Sequence, residues 1–171
     1  MANDNSKRVL AAPYRPDGDA KTYTSEPIPI EFVGPEHRFY RADLEIDGVT
    51  HAGPSYEGRI FLNNPGATKD TETTLANGYA GSFHIFGHGG CLGDEGHCEV
   101  KESTDAYDYR TPNPLTPAQK RVTITQALVE ACRQGNEVTV TVVPVVSTTN
   151  ELVDDDDDVF HCLSMHFLTY N

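Results

Sequence analysis

A set of short apolar–polar alternations, separated by turn signals, constrains this chain more than any other feature. Tyr40, Ala42, Leu44 and Ile46 alternate with Arg41, Asp43 and Glu45, and Asp47-Gly48 follows as a turn. Tyr56, Gly58, Ile60 and Leu62 form a second set, ended by Asn63-Asn64-Pro65-Gly66. Val138, Val140 and Val142 alternate with Thr139 and Thr141. A period of two puts one face of each segment on a core and the other towards solvent. Tyr79–Phe86 and Val159–Tyr170 also read as strands, and Arg121–Thr125 as a short one. Ile28–Phe32 contains Pro29 and is at most an edge strand. One short helix is expected near residues 125–134, with Thr125 as its cap and Gly135 as its stop. Its apolar face carries Leu128, Ala131 and Cys132. About six to eight strands at this spacing, with one helix, predict a mainly β chain folded as a single β-sandwich.

The 171 residues fit one domain with its own core. Residues 1–26 are polar, with Pro13, Pro16, Asp17 and Gly18 and no periodicity, and are expected to form a flexible N-terminal arm. Residues 27–171 are then the sandwich. Residues 67–78 are loop-like. Residues 102–119, with Pro112, Pro114 and Pro117, make a long connection.

The formal charge of −13, from 26 acids and 13 bases, excludes nucleic acid and anionic membrane as favoured partners, because both repel an acidic surface. The Asp154–Asp158 run adds to this charge but lacks the spaced oxygens and distal Glu of a calcium loop, so it reads as a solvated surface. The first residues are polar, no apolar signal region follows, and no stretch has membrane-spanning length, so a cytoplasmic location is the default expectation. A leaderless chain can still leave the cell bound to a secreted partner. In a reducing compartment the four Cys are expected as thiols or metal ligands.

The segment from His84 to Cys98 is rich in metal-binding side chains. His88, Cys91, His97 and Cys98 lie among glycines that let a short loop fold them towards one point. Imidazole and thiolate suit copper or zinc. The spacing is not a standard zinc pattern, and Cys91 and Cys98 could equally close the loop as a disulfide. Structure or partner contact is therefore the favoured role of the loop, with metal as the alternative. His84 is a weaker ligand: on a strand it lies roughly 13 Å from His88, and it can simply face solvent. A second cluster holds His161, Cys162 and His166. On one strand Cys162, Ser164 and His166 share a face, opposite His161, Leu163 and Met165. This cluster reads as a core strand, with copper as the alternative only if it meets the first cluster in space. Nucleophile elbows, dinucleotide loops and phosphate loops are absent from the sequence. Glu57, Asp94 and Glu95 have no spacing that marks an acid–base pair.

Three stretches carry a resemblance. They are Tyr56-Glu57-Gly58-Arg59-Ile60-Phe61-Leu62-Asn63-Asn64-Pro65, Tyr79-Ala80-Gly81-Ser82-Phe83-His84, and the block Arg121–Val145, which ends in Val-Thr-Val-Thr-Val-Val-Pro-Val. Their order resembles the β-sandwich domain that follows the dicopper domain of tyrosinases and polyphenol oxidases, over about two thirds of the chain. The resemblance implies an accessory role, with a sandwich that packs over a copper site without supplying its His ligands. This chain is expected to depart from the family by standing alone, and none of its seven His falls on the expected helix. A self-contained tyrosinase activity is thus not expected. The leading expectation is a non-catalytic accessory domain acting by contact on a copper oxidase. A small copper- or zinc-binding protein and a structural or assembly sandwich are the alternatives.

Overall fold

Period-two burial sorts the side chains of this chain between two sheets. The computed structural model describes residues 22–30, 39–50, 55–87, 107, 117–146 and 159–170. Among them are nine strands, a 3-10 turn at Leu75–Asn77 and one helix, α1 (Thr125–Cys132). The strands are β1 (Tyr23–Thr24), β2 (Ile28–Pro29), β3 (Arg41–Val49), β4 (Tyr56–Leu62) and β5 (Tyr79–Ile85), then β6 (Ala118–Thr123), β7 (Glu137–Val138), β8 (Val140–Val146) and β9 (Ser164–Tyr170). The mainly β expectation holds. The strand number exceeds it because β1, β2 and β7 are two-residue pairings that no periodicity can signal.

One sheet has the order β1-β8-β4-β5, a second the order β6-β3-β9, and β2 pairs with β7. Every pairing is antiparallel. Ala42, Leu44 and Ile46 of β3, Val122 of β6, and Met165 and Phe167 of β9 form one core with Ile60 and Leu62 of β4, Phe83 and Ile85 of β5, and Val140 and Val142 of β8. Burial of each of the larger side chains among them, such as Leu44, Ile46 or Ile60, contributes about 1.5–3 kcal/mol. The outer face of the larger sheet carries a small second cluster, in which Phe61 and Val143 pack with Ala67 of the following loop. Among the described residues no helix is long and apolar enough to cross a membrane.

Several local expectations change. Residues 22–26 fell within the expected arm, yet Tyr23 pairs with Val142 and Ser25 N donates to Val140 O at 2.8 Å. Residues 1–21 lie outside the described residues. Tyr40 is 74% exposed rather than inward, because β3 begins only at Arg41. Asp47-Gly48 is a bulge and not a hairpin turn: β3 runs on to Val49, and its register with β6 shifts between Ile46 and Val49. Gly48 takes φ +68°, open to glycine without cost, and Leu163 packs where a Cβ would sit. Thr125 does not cap α1. It is the first helical residue, and its Oγ1 accepts from Ala42 N at 2.9 Å, which clips the helix to β3. Ala127, Leu128, Ala131 and Cys132 are the buried face of α1, as the spacing predicts.

The register also fixes which segments share an end of the sandwich. Tyr56 is opposite both Ile85 and Val146 in the larger sheet. Val49 is opposite Ala118, and Asp47 opposite Ser164, in the smaller one. Thr50 N donates to His161 O at 3.0 Å, and Gly87 N donates to Ser55 Oγ at 3.0 Å. Thr50, Ser55, Gly87, Ala118, Val146 and His161 therefore gather at one end.

Candidate functional site

The outer face of the smaller sheet is built from charged groups. Because Ala42, Leu44 and Ile46 face the core, Asp43, Glu45 and Asp47 must face away from it. Across the ladders Asp43 meets Thr123, Glu45 meets Arg121 on one side and His166 on the other, and Asp47 meets Ser164. Cross-strand neighbours of opposite charge stabilise such a face. Here they allow acids to be buried: Asp43 is 0% and Glu45 8% exposed.

Arg41 grips Asp43, with Nε donating to Oδ1 at 2.8 Å and Nη2 at 2.8 Å from Oδ2. Burial opposes ionisation of Asp43. Hydrogen bonds from Arg41, Thr123 and Tyr170, with the Arg41 charge, outweigh it and hold the carboxyl below the ordinary carboxylate range. The Arg41 guanidinium also lies 5.4 Å from the centre of the Tyr170 ring.

Further along β3, Glu45 joins two cations or donors. Arg121 donates to Oε1 through Nε, at 3.2 Å, and through Nη2. His166 Nε2 lies 2.6 Å from Oε2, where its N–H donates to the carboxylate. On the other side of the ring, His166 Nδ1 faces Asp47 Oδ2 at 3.7 Å and is buried without a hydrogen bond. Asp47 Oδ1 accepts from Gln119 Nε2 at 2.8 Å, and Oδ2 accepts weakly from Ser164 Oγ at 3.4 Å. Ligand atoms of Glu45, Asp47 and His166 all fall within 4.8 Å of one another. An imidazole between two carboxylates can hold a divalent cation or orient a proton.

Of the residues singled out by sequence, His166 is the one brought into this cluster. Cys162 is not. β9 starts at Ser164, and the chain bends at Leu163, whose N donates to Asp47 O at 2.8 Å. Alternation therefore does not extend back to Cys162, which turns to the core beside Tyr23 and Tyr56. Burial pushes its thiol up to about 11, so the thiolate that metals require is scarce. The expected common face of Cys162, Ser164 and His166 is corrected to Ser164 and His166 alone. His161 is exposed. His84 is exposed on β5, opposite Glu57. Glu57 itself is held below the ordinary range: desolvation opposes this, but Ser82 and Arg59 hydrogen bonds and the Arg59 charge prevail. His88, Cys91, His97 and Cys98 lie outside the described residues.

At the far end of the sandwich a cleft of about 180 Å³ opens between α1 and the turn after β4, lined by Asn63, Asn64, Leu75, Glu130 and Gln134 among others. Asn63 takes φ 53° there, with Oδ1 accepting from Thr139 N at 3.0 Å. Its lining holds no paired acid and base of the kind that hydrolysis or proton transfer uses.

No family model matches the chain, and no curated protein matches it. Among solved structures the chain is similar to latent aurone synthase (polyphenol oxidase) from natural source, with TM-score 0.48 and 14% identity, over 94% of this chain and 26% of that one. A recombinant latent aurone synthase co-crystallized with hexatungstotellurate(VI) gives TM-score 0.48 and 15% identity, over 92% of this chain and 25% of that one. The chain thus spans about a quarter of the length of those proteins.

Proposed function

We propose that this chain is a non-catalytic accessory domain of the kind joined to tyrosinases and polyphenol oxidases, acting by contact on a copper oxidase. One observation supports the reading. The three stretches that carry the sequence resemblance are distant in the chain but form one block. Tyr56–Leu62 and Tyr79–Ile85 are the neighbouring strands β4 and β5, and Val140–Val146 is the strand on the other side of β4. The intervening α1 packs against β3, β4, β5 and β7. A shared block of this kind is a scaffold, and recognition belongs to the segments that leave it. Exposed Phe86, at the end of β5, and Leu163, before β9, lie at the end from which those segments depart.

The test is co-purification from the source cell with the full chain as bait, followed by a diphenol oxidation assay on the captured material. A type 3 copper oxidase that is retained, and whose rate changes when the chain is removed, is the expected result. Absence of any stably bound oxidase overturns the reading.

A further inference from the structure

We propose that Asp47 and His166 form a binding site for a divalent transition-metal ion, bound at His166 Nδ1, with Glu45 as the residue that positions the ring. This inference concerns the chain alone and does not depend on an oxidase partner.

A group of acids on a sheet is not by itself a site. The second observation is the ring. His166 is only 6% exposed, and its Nδ1 is buried with no hydrogen bond. A buried ring nitrogen left without a partner keeps the full cost of its desolvation, so the fold is expected to supply something to it. Glu45 decides what that is. By accepting from Nε2–H at 2.6 Å, it engages that side of the ring and leaves Nδ1 as the nitrogen open to a ligand. A carboxylate behind a histidine is the usual outer partner of a metal-bound imidazole, where it orients the ring and raises its basicity. Arg121 holds Glu45 in turn.

Nδ1 faces Asp47 Oδ2, 3.7 Å away. That is too long for a hydrogen bond. Two donors each about 2.1 Å from a tetrahedral ion lie roughly 3.4 Å apart, so a shift of about 0.3 Å gives the required edge. Asp47 is prepared for this role, because Gln119 holds Oδ1 at 2.8 Å and leaves Oδ2 turned to the ring. The Asp47 side chain is 25% exposed, so solvent reaches the ion from that side and fills its remaining positions. One imidazole nitrogen and one carboxylate oxygen suit zinc and its neighbours better than magnesium or calcium, which take oxygen donors throughout.

The experiment is long-range proton–nitrogen NMR of the imidazole side chains in the full chain, titrated with zinc chloride. The His166 ring is assigned by its loss in His166→Gln. The expected spectrum before zinc is the tautomer with the proton on Nε2. Zinc is expected to move the Nδ1 resonance saturably while Nε2 keeps its proton. Asp47→Asn is expected to weaken this response about tenfold or more, and Glu45→Gln by about 10- to 100-fold. An Nδ1 that already carries a proton, or that does not move at millimolar zinc, overturns the proposal. So does an unchanged midpoint in folded Asp47→Asn. Because the signal belongs to one ring, ions taken up by the His/Cys segment do not confuse it.

Discussion

The ring of Phe83 occupies the space over Gly58: a Cβ built at residue 58 falls 2.3 Å from Phe83 Cζ. Phe83 and Gly58 are register partners on β5 and β4, and Phe83 belongs to the core. Phe83 cannot retreat easily, since its ring centre lies 5.9 Å from that of Phe160 and 6.2 Å from that of Tyr56. Gly58→Ala is therefore expected to cost about 1–3 kcal/mol through overpacking. Urea unfolding measures it, and Phe83→Leu in the same chain should recover part of the loss. An unfolding midpoint equal to the parent's would mean that the ring yields freely.

The clip between Thr125 and Ala42 sets where α1 begins. Thr125 Oγ1 accepts from Ala42 N at 2.9 Å, and Ile124 N donates to Ala42 O at 2.8 Å. Thr125→Val keeps the shape and removes the acceptor. It is expected to cost about 1 kcal/mol and to speed hydrogen exchange at the Ala42 amide. Thr125→Ser should restore both. Equal exchange in the Val variant would show that the backbone bond alone anchors the helix.

Alternation made the long strands readable, because β3, β4 and β8 each bury every second residue on one core. The apolar face of α1 was readable for the same reason, with a period near four. What the sequence hid is pairing. Asp43, Glu45 and Asp47 read as the solvent face of an amphipathic strand, and only the register with β6 and β9 shows that Arg121 and His166 lie beside them. Likewise, His166 and Cys162 looked like one cluster because period two was carried through Leu163, where the chain bends. A pattern of alternate acids on one strand, set against a lone Arg and a lone His on two others, was the available signal. It has no value until the strand order is known.

Acid stability should depend on Asp43. Its folded carboxyl is held below the ordinary range, and the unfolded value is about 3.9. A depressed carboxylate contributes stability that is fully present above the unfolded value and is lost as pH falls through the folded one. Asp43→Asn keeps the size but removes the charge that Arg41 holds, and is expected to cost about 1–3 kcal/mol at pH 7. Unfolding free energies at pH 7 and pH 3 check this. The parent should lose more stability between the two than the Asn variant, and equal losses would remove Asp43 from the acid response.

Thiol chemistry gives the last prediction. Cys162 is half-buried beside Tyr23, and burial, with a smaller contribution from Asp47, pushes its thiol up to about 11 although the nearby Tyr23 hydroxyl opposes this. On the order of one such thiol in ten thousand is ionised at pH 7. Cys132, on the buried face of α1, is also raised by desolvation. In a Cys91→Ser, Cys98→Ser chain, an aromatic disulfide reagent should therefore react slowly with the folded protein at pH 7, and promptly with both remaining thiols in denaturant. The slow rate at Cys162 should rise about tenfold per pH unit towards 11 while the fold persists. Fast labelling of Cys162 at neutral pH, with Cys132→Ser removing the other thiol, would show an accessible thiolate and would reopen Cys162 as a metal ligand.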